Sequence, residues 1–93
     1  MIPRPEFSGQ FKKDYKKAVR RGFDPKKLSV VMELLCSETP LPDKYRDHAP
    51  VNSGNYKGMR ECHIGPDWLL VYKIYREELI LEFIRTGTHS DLF

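Results

Sequence analysis

The 93-residue chain has few of the features that mark exported, membrane-spanning or metal-clustered proteins. Two cysteines, Cys36 and Cys62, allow at most one disulfide and have no paired zinc-ligand spacing, so they read as reduced cytosolic thiols that fill a core. The longest apolar run, Trp68 to Tyr72, is five residues, against the ~20 needed to cross a bilayer. No membrane partner is expected. Charged Arg4, Glu6, Lys12 and Lys13 stand where a secretory signal would be apolar, which points to a cytoplasmic protein. Internal repeats and low-complexity tracts are also absent. At this length roughly 64% of the surface can be buried, enough for one modest core, so a single domain over residues 1–93 is expected.

What is present is charge, unevenly placed. The net charge is +3, but residues 12–27 hold eight basic against two acidic side chains, a net of +6, leaving −3 elsewhere. On a helix, Phe11, Tyr15, Ala18 and Val19 fall in one arc. Lys12, Lys13, Lys16, Lys17, Arg20 and Arg21 then cover the opposite side. Like charges at i,i+4 repel, and an anionic partner relieves that repulsion. Phosphates of RNA and an acidic protein segment are the two candidates.

Ser8 is suited to cap this first helix and Gly22 to end it, giving residues 9–21. Asp24 followed by Pro25 signals a second start, and Leu28, Val31, Met32 and Leu35 repeat at helical spacing, giving residues 25–36. So few residues separate the two that they are expected to form a hairpin. No period holds from Ser37 to Lys57, where Pro40, Pro42, Pro50 and Gly54 break regular structure. Loops of that length are often functional, and this one contains Tyr45, Arg46, Asp47 and His48. Met59–Ile64, Trp68–Tyr75 and Leu79–Thr86 read as three strands of an antiparallel meander, and Ile2–Phe7 as a short edge strand, since Pro3 and Pro5 exclude a central one. The predicted fold is α+β, an N-terminal helical hairpin packed on a small antiparallel β-sheet.

Three histidines occupy three settings: His48 in the long loop, His63 at the end of a strand, His89 in the C-terminal tail. A turn between Ile64 and Trp68 brings Asp67 back towards His63, and the tail can return His89 to the same face. Imidazoles populate both protonation states near neutrality, so a pair can take a proton from one oxygen and deliver one to another. RNA self-cleavage requires that chemistry: a base takes the ribose 2′-hydroxyl proton, the oxygen attacks the adjacent phosphate in line, and an acid protonates the departing 5′-oxygen. A metal site built from His48, His63, Asp67 and His89 ranks below this, because no short ligand motif supports it. Trp68 and Phe93 are either core aromatics or platforms for an unpaired base. Arg60 and Arg85 either hold phosphate or pair with Glu61 or Glu82.

Tyr45-Arg46-Asp47-His48, then Gly58-Met59-Arg60 running through His63, Pro66, Asp67, Trp68, Leu69, Leu70 and Tyr72, and Arg85 to Phe93 together resemble the YafQ-like mRNA interferases, toxins of type II toxin–antitoxin modules in the RelE/ParE superfamily. The resemblance covers nearly the whole chain. It implies an endoribonuclease that cuts mRNA in the A site of the 70S ribosome, and the acid–base chemistry above needs no metal or cofactor. His48, His63, Asp67 and His89 match the family's catalytic positions, with His89 as general acid and either His63 or Asp67 as base. Trp68 and Phe93 match positions lining the RNA site, to which Arg60 is added. The basic first helix would face ribosomal RNA when free and a cognate antitoxin when neutralised. That antitoxin is expected to be a ribbon-helix-helix protein, through which alone operator DNA is reached. A ParE-like gyrase inhibitor is the rival within the superfamily, and the histidine set argues against it. A non-catalytic basic RNA- or protein-binding module is the rival from another class.

Overall fold

Local signals start and stop the helices where the sequence places them. The computed structural model describes residues 3–49 and 58–93. Strand β1 (Arg4–Phe7) leads into α1 (Gly9–Arg20), whose first turn is closed by the Ser8 hydroxyl accepting from Phe11 N–H at 2.9 Å. Gly22 follows in the left-handed region, φ +88°, where only glycine sits without strain. The Asp24 carboxylate accepts from Lys26 N–H and opens α2 (Pro25–Cys36). A 3-10 turn, Asp43–Tyr45, interrupts the long loop, of which residues 50–57 lie outside the described ones.

Strands β2 (Arg60–Gly65), β3 (Trp68–Tyr75) and β4 (Ile80–Gly87) form the expected antiparallel meander. Strand β1 joins β4 at the edge, but in parallel, so the four-stranded sheet β1-β4-β3-β2 is mixed. The two helices cover one sheet face: Phe11 and Ala18 of α1 and Leu28 and Val31 of α2 pack with Cys62, Leu70, Tyr72, Leu81 and Phe83. Burying one such aliphatic or aromatic side chain is worth about 1.5–3 kcal/mol, and this cluster dominates the stability.

On α1 the buried stripe is rotated from the one expected. Phe11, Asp14 and Ala18 are buried while Tyr15 and Val19 are exposed. The reason is Arg85 on β4: its Nε donates to Asp14 Oδ2 at 2.7 Å, Thr86 N–H donates to the same oxygen at 3.2 Å, and Gln10 Nε2 donates to Oδ1 at 3.0 Å. A carboxylate satisfied this fully can be buried and pins α1 to the sheet.

The opposite face is covered by the C-terminal tail. Helix α3 (His89–Leu92) is a single turn with a complete capping box, Thr88 Oγ1 accepting from Asp91 N–H and Asp91 Oδ2 from Thr88 N–H. Its Leu92 packs on Leu69 and Val71, a small second core that brings the tail back beneath the sheet. Gly87 permits this approach, because a Cβ there would lie 2.9 Å from Asp91 Oδ2.

Candidate active site

Strand alternation decides which side chains meet. Cys62 and Ile64 of β2 point into the helix-side core, so Glu61 and His63 point to the other face, the one α3 covers. His48 is placed beside them by an isolated bridge in which it and Glu61 exchange backbone hydrogen bonds of 2.8 Å. Asp67 sits in the β2–β3 turn and His89 is the first residue of α3. The result is a row of imidazoles, His48 to His63 at 5.7 Å and His63 to His89 at 5.8 Å between ring centroids. All four catalytic candidates therefore converge on one side of the molecule.

Their environments differ. His63, the most enclosed ring, has its pKa lowered by burial and then by the positive charge of Arg46, with Glu61 opposing. Asp67 is exposed, yet its carboxyl is held below the usual carboxylate range by the backbone N–H and then the ring of His89. Asp67 Oδ1 lies 2.7 Å from His89 Nδ1, and because a carboxylate only accepts, this contact places a proton on Nδ1. His48 Nδ1 is 2.7 Å from the Ala49 carbonyl, which likewise assigns Nδ1 as the donor.

Glu61 was missed as a site residue. Only 3% exposed, its Oε1 lies 3.6 Å from His48 Nε2 and 3.9 Å from His63 Nε2. Its position two residues before His63 on a strand was the available signal, obscured by the neighbouring Arg60 as an obvious ion-pair partner. The donor atoms of His48, Glu61 and His63 lie within 4.8 Å of one another, and among the described residues they form the set best placed to hold a metal ion. Donors on a tetrahedral ion with bonds of about 2.0–2.1 Å sit roughly 3.4 Å apart, so small side-chain movements would suffice. Arg46 was also missed as a site residue, although the Tyr45–His48 segment contains it.

Two of the expected RNA-contacting residues sit apart from the imidazole row. Trp68 is 6% exposed, its indole N–H donating to Thr86 Oγ1 at 2.8 Å and its ring packed 4.9 Å from Phe23, a position in the core. Arg60 is on the helix side of β2, with Nε 3.3 Å from Asp47 Oδ1, away from the imidazoles. Asp47 also accepts from the Tyr72 hydroxyl at 2.7 Å. Phe93, 42% exposed, follows directly on α3, its N–H donating to His89 O. Arg85 pairs with Asp14 rather than Glu82.

The six basic residues Lys12, Lys13, Lys16, Lys17, Arg20 and Arg21 are all exposed. Lys17 and Arg21 reach Asp91 at 3.4 and 2.8 Å, linking the cationic face to the helix that bears His89. Both cysteines are free, and burial pushes the Cys62 thiol up to about 12, so it is inert. Among the described residues no helix is long and apolar enough to cross a membrane.

Comparison with known proteins agrees with this architecture. A family described as bacterial toxin of type II toxin–antitoxin system, YafQ, matches residues 3–93. The mRNA interferase toxin YafQ of Escherichia coli B/BL21-DE3 is 49% identical over 89 residues, 95% of this chain and 92% of that protein. A chain of the E. coli DinJ–YafQ toxin–antitoxin complex superposes with a TM-score of 0.88 at 44% identity, over 100% of this chain and 99% of that one. A metal-bound toxin from Helicobacter pylori superposes at 0.89 with 47% identity, over 99% and 100%.

Proposed function

The chain belongs to the YafQ family of type II toxins and is an mRNA interferase, an endoribonuclease, and we propose that it cuts translated mRNA in the ribosomal A site by metal-independent acid–base catalysis. His63 is the base: low protonation at neutral pH suits it to take the 2′-hydroxyl proton. The 2′-oxygen then bonds to phosphorus as the bond to the 5′-oxygen breaks, and His89, entering the step doubly protonated with its Nδ1–H held by Asp67, donates its Nε2 proton to that leaving oxygen. A 2′,3′-cyclic phosphate and a 5′-hydroxyl end result. Asp67 is a positioning residue, since a carboxylate whose negative charge is stabilised by two donors is a poor base. His48 stabilises charge on the pentacovalent phosphorane, and Phe93 stacks on a base of the message.

The observation that carries this reading is the 5.8 Å between the His63 and His89 rings, a spacing at which one phosphodiester can touch both. Its test is single-turnover cleavage on programmed 70S ribosomes of a message with 2′-deoxyribose at the cut site. No cleavage of the deoxy message is expected, and undiminished cleavage would overturn the mechanism. The same message as free RNA should be cut far more slowly.

The cytoplasmic partner is a cognate antitoxin, as DinJ is for E. coli YafQ. A ribbon-helix-helix antitoxin would seat acidic residues on the basic face of α1 and carry the operator-binding activity.

The geometry at His48, Glu61 and His63 favours a second reading, in which the free toxin takes a transition-metal ion at these three residues; a similar toxin from H. pylori is metal-bound. A metal on the His63 lone pair removes the nitrogen that abstracts the proton, so occupancy would oppose cleavage. Titrating Zn²⁺ against cleavage on ribosomes tests this: inhibition reversed by EDTA supports it, and activation by the metal contradicts it.

A further inference from the structure

Next to His63 opens a groove of about 530 Å³ that the catalytic reading does not use. Its cations are Lys27, on the first turn of α2, and Lys44 and Arg46, from the 3-10 turn and the residue after it. Val30, 48% exposed, Tyr45 and Pro66 supply apolar surface, and no carboxylate lines it among the described residues. None of the three cations is ion-paired among the described residues, whereas Lys17, Arg21, Arg60 and Arg85 each hold a carboxylate. The Lys44 ammonium lies 5.0 Å over the Tyr45 ring, which holds it at the surface without neutralising it.

Arg46 adds a second sign of purpose. Its backbone sits in the left-handed region, φ +49°, ψ +51°, a conformation in which glycine or asparagine would be strain-free. Strain of this kind persists where the side chain it places has a task. His63 lines the groove and is also the middle ring of the imidazole row, so the two are contiguous.

Unpaired cations around a slot with an apolar floor match one chemical class, a nucleotide, whose phosphate and flat base need the two kinds of surface together. We propose that this groove is a nucleotide subsite, holding the mRNA residue adjacent to the scissile phosphodiester, with Lys27, Lys44 and Arg46 on its phosphate and Val30, Tyr45 and Pro66 under its base. The inference rests on the cleavage reading above. A strand with its reactive phosphate between His63 and His89 must leave the site somewhere, and this groove is contiguous with His63. Ribosomal RNA and the antitoxin are the competing occupants.

The test is a Lys44→Gln/Arg46→Gln variant, with Lys27→Gln alone as the milder companion. Cleavage on programmed ribosomes, binding to 70S ribosomes with an empty A site, and affinity for the antitoxin are measured, after thermal melting shows the fold intact. Cleavage about tenfold slower for the double variant, with the other two affinities unchanged, is expected from the loss of charged contacts to one phosphate. Weaker binding to empty ribosomes would reassign the groove to ribosomal RNA, and weaker antitoxin binding to the antitoxin; either overturns the proposal, as does wild-type cleavage by both variants. Should the double variant fail to fold, Lys27→Gln decides, with about threefold slower cleavage expected. A wild-type protein no faster than its His89→Ala variant would instead remove the cleavage reading itself. Independently, a 2′-O-methylated trinucleotide titrated into the isotope-labelled free toxin should shift the Val30, Tyr45 and Arg46 amides; shifts confined to α1 would place the strand elsewhere.

Discussion

Asp67 Oδ1 accepts the backbone N–H of His89 at 3.0 Å and lies 2.7 Å from Nδ1 of the same residue, so one oxygen fixes both the start of α3 and the orientation of its imidazole. Replacing Asp67 by Asn keeps the shape but weakens both contacts. Cleavage should fall about 10-fold to 100-fold in kcat with little change in KM, whereas His89→Ala, which removes the acid, should cost about 10² to 10⁴. Pre-steady-state kinetics on programmed ribosomes separates the two. A larger loss for Asp67→Asn than for His89→Ala would make the carboxylate a reacting group.

The pH dependence follows from His63. A base must be neutral, so the rate falls as pH drops through the His63 pKa; burial and Arg46 lower that pKa, which sets the acid limb below the ordinary imidazole value of about 6.5. Arg46→Gln removes a positive charge and should shift the limb to higher pH. For stability the sign is the same: the unfolded chain gains the proton more readily, so stability declines as pH falls from about 6.5 through the lowered folded value. A pH–rate profile with an unshifted limb in Arg46→Gln would contradict the electrostatic account.

Asp91 links the cationic helix to the catalytic tail. Its carboxyl is held well below the usual range, chiefly by the Thr88 N–H it accepts, with Arg21 adding to the effect. Asp91→Ala removes the capping box and both ion pairs. A stability loss of about 1–2 kcal/mol is expected, mostly from the lost cap, because the exposed ion pairs contribute little. Cleavage should fall roughly tenfold as His89 loosens, a factor worth about 1.4 kcal/mol in the barrier. Urea unfolding read beside cleavage checks both, and cleavage unaffected by Asp91→Ala would show that α3 does not need this anchor.

Trp68 offers the sharpest contrast between a core and an RNA-facing role. As a core residue, Trp68 replaced by Phe should keep cleavage within about twofold and lose about 1 kcal/mol with the Thr86 hydrogen bond. Trp68→Ala should lose about 3–5 kcal/mol. Abolished cleavage with unchanged unfolding in Trp68→Phe would instead put the indole on the RNA.

Local grammar was legible in the sequence: Ser8, Gly22, Asp24 and Pro25 mark the helix ends, and the meander strands follow their β-branched and aromatic runs. Nonlocal pairing was not. Asp14 looks like a surface charge until Arg85, 71 residues later, buries it, and that contact rotates α1 so that Tyr15 and Val19 face outwards. Nothing local revealed α3 either, since four residues are too few for a helical period. The three histidines and Asp67 were readable by residue type and motif, but Glu61 needed the strand alternation to turn it from Arg60 towards the rings.

The central claim is that His63 and His89 act together on one phosphodiester of a translated message. Sequencing of mRNA 5′ ends after brief induction, comparing the wild type with His63→Ala and His89→Ala variants of equal abundance, tests it most directly. New 5′-hydroxyl ends within translated reading frames for the wild type, and none for either variant, is the predicted result. The same set of ends from either variant would contradict it.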